Sequence, residues 1–462
     1  VGLFAPGVGN LNDGMMVGGV NGFPNGLFTV APIAFAPRFA FAWDPFGDGR
    51  TSVRAGGGIY FDRIEGNPVM NQLQQPAYYQ PLQYYGTFSD ISAAAGSGYL
   101  SPGSVNSLAS TGHQQQVYNF NAEIQRQIGR SDLVRLGYSG SLGRHLLWSR
   151  NINAIPLGAT FLSLNPQNAN PQNTSALPNN FLKPYQGFGN INLYEFANNS
   201  SYHSLQASIQ HRLARGVNLS ANYTFSKALD CSDDYGTSVD PFLNPRSRNY
   251  GPAGFDRTHV FSSNFFWSLP RPGRATGIRP LGWIADNWQI SGVVRMMTGG
   301  PATPGYSLVN GLSSPSGSPD DGARLEVANP NAPLGPVLNS DGTFTTTTRF
   351  APPPEPSAAQ ATSVPWAIHS NAPQLGNLGR NTFYGPGVNN WDLSIYRAIR
   401  ITERVNSQLR LETYNTFNHT QWSSYNNSLQ FNSAGTMVNT AFDTPNASRP
   451  PRRVQVAVRV WF

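Results

Sequence analysis

The segment Ser204-Leu205-Gln206-Ala207-Ser208-Ile209-Gln210-His211-Arg212-Leu213-Ala214-Arg215-Gly216-Val217-Asn218-Leu219-Ser220-Ala221-Asn222-Tyr223-Thr224-Phe225-Ser226 decides the fold. Leu205, Ala207, Ile209 and Leu213 share one parity, with His211 the exception, and Ser204, Gln206, Ser208, Gln210 and Arg212 take the other. After Ala214-Arg215-Gly216 the alternation resumes, with Val217, Leu219, Ala221, Tyr223 and Phe225 against Asn218, Ser220, Asn222, Thr224 and Ser226. A period of two is the signature of a β-strand with one apolar and one polar face. Each arm has about the 9–11 residues that a tilted strand needs to cross a bilayer. Strands of a soluble sandwich are usually only about 5–6 residues long.

The same pattern extends in both directions along the chain. Tyr118, Phe120, Ala122 and Ile124 alternate with Asn119, Asn121, Glu123 and Gln125, and Val134, Leu136 and Tyr138 follow the turn Gly129-Arg130-Ser131-Asp132. Trp288, Ile290, Val294 and Met296 alternate with Gln289, Ser291 and Arg295, and Val405, Leu409 and Leu411 with Asn406, Gln408, Arg410 and Glu412. The chain ends Val454, Val456, Val458, Val460, Phe462 against Arg453, Gln455, Ala457 and Arg459. About 11 strands are expected, near 37–44, 50–62, 116–128, 132–142, 201–213, 216–228, 256–268, 286–298, 387–399, 404–416 and 452–462. Their connections alternate between short and long. Short periplasmic turns opposite long extracellular loops are the plan of an outer-membrane barrel, and a soluble propeller has no reason to sort its loops in this way. The expected fold is therefore all-β: an antiparallel transmembrane β-barrel. An odd strand count makes the first and last strands run the same way, so this chain is expected to be a partial, open barrel. Trp43, Trp267, Trp288, Trp461 and Phe462 fall at the periplasmic ends, and Tyr60, Phe61, Tyr223, Phe225 and Tyr414 at the other, as two aromatic belts require. Trp461 shares the parity of Arg459 and is expected to face the lumen.

Composition agrees with an inside-out barrel. Of 462 residues only 39% are hydrophobic and 12% charged, while aromatics also reach 12%. A wide barrel turns apolar residues to lipid and polar ones to water, and needs no large dry core. So many aromatics argue against disorder of the whole chain. No run approaches the roughly 18 apolar residues of a membrane helix. The net charge is +7, but Lys and Arg are scattered, which gives no nucleic-acid footprint. Cys231 is the only cysteine, so an intramolecular disulfide is excluded. The chain begins Val1-Gly2-Leu3-Phe4, without a basic n-region. An outer-membrane protein needs a signal peptide, so its start is expected upstream.

Several segments, in order along nearly the whole chain, resemble the barrel of TonB-dependent transporters, most closely the Oar-like group. They are Pro37-Arg38-Phe39-Ala40-Phe41-Ala42-Trp43-Asp44-Pro45, Arg54-Ala55-Gly56-Gly57-Gly58-Ile59-Tyr60-Phe61-Asp62, Gly137-Tyr138-Ser139-Gly140-Ser141, Tyr223-Thr224-Phe225-Ser226-Lys227-Ala228, Phe255-Asp256-Arg257-Thr258-His259-Val260-Phe261 and Asn415-Thr416-Phe417-Asn418-His419. The resemblance implies a barrel of about 22 strands, an N-terminal plug, and energy delivered by the TonB complex through an N-terminal region. Residues 1–462 would then be the C-terminal portion of the barrel domain.

Catalytic signatures are absent: there is no His-Glu-x-x-His, Gly-x-Ser-x-Gly, phosphate-cradling Gly-rich loop with Lys, or EF-hand loop. The chain is expected not to be an enzyme and to carry no cofactor. His203, His211 and His259 lie in strands and read as lumen or interface side chains rather than metal ligands. Asp230, Asp233, Asp234 and Asp240 form the one concentrated acidic feature, read as a solvated extracellular loop, with Ca²⁺ ligation as the alternative. Asp320-Asp321 reads the same way, and Asp256-Arg257 as a structural ion pair. Gly56-Gly57-Gly58 is expected to let a strand bend or lie close to a plug. Val456, Val458, Val460 and Phe462 read as the signal for the barrel-assembly machinery. The expected function is capture and active uptake of an unidentified ligand across the outer membrane, with lipid around the wall. A passive porin-like channel and a soluble extracellular glycan-binding β-protein stay open as alternatives.

Overall fold

The structure is a computed structural model that describes all residues except 1–2, 5–14, 17, 21, 27, 30–32, 73–86, 88–102, 111, 158, 160–180, 186–187, 215, 310–317, 321, 336, 345–348, 354–374, 403 and 433. Asp321 and most of the Ser313–Pro319 and Thr343–Thr348 stretches lie outside the described residues.

Eleven strands form one curved wall: β1 (Arg38–Trp43), β2 (Thr51–Asp62), β3 (Gln115–Ile128), β4 (Asp132–Asn151), β5 (Ile191–Ala214), β6 (Val217–Asp230), β7 (His259–Ser268), β8 (Trp288–Met297), β9 (Val388–Arg400), β10 (Asn406–Tyr414) and β11 (Arg453–Trp461). Each pairs antiparallel with its neighbours in sequence order. The wall is not closed: among the described residues β1 and β11 pair with β2 and β10 alone. Ten antiparallel junctions leave the two edges running in the same direction, so joining them would need a parallel junction foreign to bacterial barrels.

Register carries the parity of one hairpin around the whole wall. Leu136 faces Ala207, Ala207 faces Tyr223, and Tyr223 faces Phe261. Directly opposed residues point to the same side of a sheet, so this row is one continuous outer surface. Its members stay accessible: Leu205, Ile209, Tyr223 and Phe225 are exposed, as are Val454, Val456, Val458 and Val460. The inner row runs through Asn121, Ser139, Ser204, Ser226 and their neighbours.

Glycines on the outer face make room for rings. Phe39 opposes Gly57, Phe120 opposes Gly140 and Phe265 opposes Gly292. The rings at Gly140 and Gly292 lie where a Cβ would stand, and the Phe39 ring would crowd one at Gly57. Within Gly56-Gly57-Gly58, Gly57 makes room for an aromatic neighbour across the strand pair, while Gly56 and Gly58 lie on the inner parity.

Short turns close one end. Asp44 accepts hydrogen bonds from the backbone N–H of Phe46, Gly47 and Gly49 at 3.2, 3.0 and 2.7 Å. The β7–β8 connection holds two short helices, Pro272–Thr276 and Arg279–Ala285, clasped by Asp286, which accepts from Gly273 N and Arg274 N. Trp283 and Ile284 of this connection are exposed, as are Trp267 and Trp43 at the same end of the wall. At the long-loop end the belt is Phe120, Tyr138, His203, Tyr223, Phe225 and His259. Tyr138 Oη lies 2.6 Å from His203 Nδ1 and Tyr223 Oη 2.7 Å from His259 Nδ1. Tyr60 and Tyr414 do not belong to this belt. Arg38 stacks on the Tyr60 ring at 4.5 Å, and Tyr414 opposes Arg453, so both rings take the inner face. Trp461 opposes Asn406, on the inner parity as its sequence position implied.

Two strands run well past their expected ends. β4 reaches Asn151 and β5 begins at Ile191. A template of membrane-spanning length stops near Leu142, because there the pairing shifts twice between Gly143 and Trp148, around His145 at φ 56°. A bulge of this kind bends a strand and breaks its alternation, which hides the continuation. Beyond the bulge β4 turns from accessible to buried, ending with Leu147 and Trp148 under 6% exposed.

Candidate functional site

At the long-loop end the loops fold on one another. Gly305–Leu308 pairs in parallel with Ser428–Phe431, Trp422–Tyr425 pairs with Pro445–Ser448, and Glu326–Val327 with Phe350–Ala351. Leu325, Phe350, Leu378, Phe383, Leu429, Phe431, Met437 and Phe442 bury together beneath these ribbons. Phe442 sits 6.1 Å from Phe350 and 5.6 Å from Phe383, centroid to centroid. The loops β8–β9 and β10–β11 thus form one packed cap with a dry core.

The acidic cluster is absorbed into this cap. Arg380 grips Asp230 and also donates to Asp233 at 2.8 Å. Asp234 accepts from Gly236 N and Thr237 N at 2.7 Å each, closing a turn, and Asp240 accepts from Phe242 N and Leu243 N at 2.9 and 3.1 Å. The second oxygen of Asp240 lies 3.5 Å from Arg248 Nε. Arg248 in turn donates to the carbonyls of Leu375 at 2.5 Å, Gly376 at 2.6 Å and Gly322 at 3.1 Å. Arg324 donates to Arg248 O at 2.7 Å, and burial together with the neighbouring Arg248 charge lowers its pKa to about 10. The carboxylates therefore serve cations and backbone N–H groups. This corrects the reading of a solvated acidic loop for Asp230 and Asp240, which are buried, while Asp233 and Asp234 are exposed as that reading expected. Among the described residues no group of three or more His, Cys, Asp or Glu side chains is placed to hold a metal ion.

Other expected residues are placed differently from one another. Asp256 pairs with Lys227 at 2.8 Å rather than with Arg257, whose Nη1 donates to the Asp256 carbonyl. Asp256 also accepts from Ala228 N at 2.7 Å, and β7 starts at His259, three residues later than expected. His211 meets Asp132 at 2.6 Å beside the short turns, while His203 and His259 stand in the outer belt. Asp320 accepts from Ile155 N at 2.8 Å. Cys231 is buried and free. Val456, Val458 and Val460 line the outer face of the β11 edge, and Phe462 follows it at 98% exposure.

Between the cap and the inner face of β8–β11 lies a recess of about 800 Å³ lined by Arg295, Asp392, Tyr414, Asn415, Gln421, Arg449 and Arg453 among others. Asp392 accepts from Asn390 Nδ2 and Asn415 N at 2.9 Å each. Gln421 Nε2 donates to Asn390 Oδ1 at 3.3 Å, and Arg449 N donates to Gln421 O at 2.7 Å. Arg295 had been assigned to the inner face by parity, but the loop members Asn415, Gln421 and Arg449 were not expected. The run Arg449-Pro450-Pro451-Arg452-Arg453 was the available signal.

Residues 1–455 match the protein family described as outer membrane beta barrel domain. No curated protein sequence matches the chain. Among solved structures, the outer-membrane transporter YddB from Escherichia coli aligns over 92% of this chain and 40% of its own, at 10% identity and TM-score 0.47. A mutant of the ferric enterobactin receptor PfeA from Pseudomonas aeruginosa aligns over 92% and 40%, at 10% identity and TM-score 0.41. The siderophore receptor PiuA from Acinetobacter baumannii aligns over 92% and 35%, at 7% identity and TM-score 0.40. The chain spans well under half the length of each.

Proposed function

The chain belongs to the outer membrane β-barrel domain family, whose place is the bacterial outer membrane, and from that premise we propose that it is the ligand-capturing part of an active, TonB-dependent uptake receptor. The observation that carries this reading is the packed cap on the long-loop end. A passive pore needs a free mouth, whereas a receptor needs a preorganised surface that meets solute before the lumen does. The ordered segments from Pro37-Arg38-Phe39 to Asn415-Thr416-Phe417 resemble TonB-dependent barrels and support the energy-coupled version over the passive one. Further antiparallel strands would pair with β1 and β11, because an unpaired edge in lipid leaves backbone groups without partners.

The test is accumulation of labelled solutes by cells carrying the full-length protein, with and without a protonophore. Energy-dependent uptake is expected. Uptake that persists undiminished after de-energisation would identify a passive channel instead.

Val456, Val458, Val460 and Phe462 are proposed as the strand that the barrel-assembly machinery reads. Removing Phe462 from the full-length protein should deplete it from the outer membrane. Unchanged levels of heat-modifiable, folded protein would refute that role.

A further inference from the structure

We propose that the recess between the cap and β8–β11 is an oxyanion site, built for a small hydroxylated carboxylate or phosphate ester. This rests on the receptor reading above and names the chemistry of its capture site. Arg295, Arg449 and Arg453 are exposed within one recess, and among the described residues none of the three forms an ion pair. Elsewhere in the cap region arginines are consumed: Arg380 by two aspartates, Arg248 and Arg324 by carbonyls. The contrast within one assembly leaves the three available to an anionic partner.

The one carboxylate that lines the recess has its Oδ1 committed. Asp392 spends an oxygen on Asn390 Nδ2 and Asn415 N, and so fixes the recess wall instead of the arginines. Three guanidinium groups against one engaged carboxylate leave the recess cationic. Guanidinium groups bind carboxylate and phosphate oxygens through paired, charge-assisted N–H donors.

A second, independent observation points to the same place. Asn415 is held at φ 52° and is 7% exposed, and its Oδ1 has no hydrogen-bond partner although its Nδ2 donates to His419 O and Pro450 O. A buried acceptor left unmade costs free energy. Asn415 lines the recess, and because its Oδ1 is closed off from solvent, a side-chain shift on binding is what would let a ligand hydroxyl satisfy it. The Tyr414 ring and the Gln421 amide complete a surface that suits a polar, hydroxylated solute, and about 800 Å³ is the size of a small-molecule site.

The experiment is titration calorimetry on the detergent-solubilised full-length protein with citrate, inorganic phosphate and uncharged maltohexaose. Binding of an oxyanion and no binding of maltohexaose is expected. Tighter citrate assigns the site to carboxylates, and tighter phosphate to phosphate esters. Arg295→Gln, Arg449→Gln and Arg453→Gln should each weaken the oxyanion roughly tenfold or more. All three side chains are exposed, so folding should survive, and heat-modifiable migration checks it. Absence of oxyanion binding by the folded protein, equal binding of maltohexaose, or unchanged affinity in all three variants overturns the proposal. Because the titration needs no energised membrane, failure of uptake in cells leaves this result standing, and the converse also holds.

Discussion

The wall and the cap use the same apolar residues in opposite ways. On the wall, Leu205, Ile209 and Val458 are exposed at 46%, 41% and 67%, whereas in the cap Leu429 and Phe431 are at 0% and 1%. The chain meets two solvents. Against lipid an outward leucine is already in hydrocarbon, so packing it inside gains nothing, and strand alternation suffices. Above the lipid the backbone meets water, and only conventional burial of apolar surface holds loops together. β4 crosses between the two regimes within a single strand, at the bulge around His145.

The comparison can be broken most directly by truncating one side chain in each region of the full-length protein. Phe431→Ala opens a cavity in a dry core and should destabilise the cap by about 3–5 kcal/mol. Leu136→Ala on the outer face should cost less, about 2 kcal/mol, because the transfer from water to lipid is lost but lipid chains fill the space and no cavity is left. Loop-specific proteolysis for the first and urea unfolding in liposomes for the second would read these. Similar costs at both positions would mean that the cap is not a core or that Leu136 does not face lipid.

Charge should reverse the ranking on the wall. Leu136 lies near the middle of the expected lipid span, and Leu136→Arg should cost roughly 2–4 kcal/mol. Ser139→Arg, on the inner row that continues through Ser204, should cost well under 1 kcal/mol, since long polar side chains there reach water. Equal unfolding midpoints for the two arginine variants would overturn the assigned parity.

The smallest effect expected lies at Asp443 in the cap. Burial raises its carboxyl above the ordinary carboxylate range. Its folded pKa exceeds its unfolded one, so the charged form opposes folding above the folded pKa, and that opposition fades as pH falls through it. Asp443→Asn keeps a residue type that tolerates the left-handed backbone at φ 60°. It should raise the melting temperature of the cap slightly at pH 7 and not at pH 3. A gain of the same size at both pH values would point to a cause other than the buried charge.

The wall was legible from sequence because lipid imposes a fixed length and a period of two, and both survive in Leu205, Ile209, Tyr223 and Phe225. The extensions of β4 and β5 were not, since Gly143 to Trp148 breaks the period where the lipid ends. The cap was hidden for a different reason. Leu325, Phe350, Leu429 and Phe442 come from separate loop segments with no periodicity, and only tertiary contact brings them together. The Asp230–Asp240 cluster was visible as charge, but its partner Arg380 lies about 150 residues away, beyond any local spacing rule. The recess suffered likewise: Arg295 and Arg453 stood out as inner-face residues, and Asn415 and Gln421 gave no local sign.

The parallel ladder between Gly305–Leu308 and Ser428–Phe431 constrains the order of events during biogenesis. Its two halves flank β9 and β10 in the chain, so they can meet only after that hairpin has crossed the bilayer and returned. Contacts between such distant segments form late and slowly, because the intervening chain must close first. The cap then serves as a clock for the C-terminal wall: protease resistance of the loops would appear only after β9 and β10 are seated, and a stalled intermediate would be recognised by a finished sheet edge beneath loops still open to cleavage.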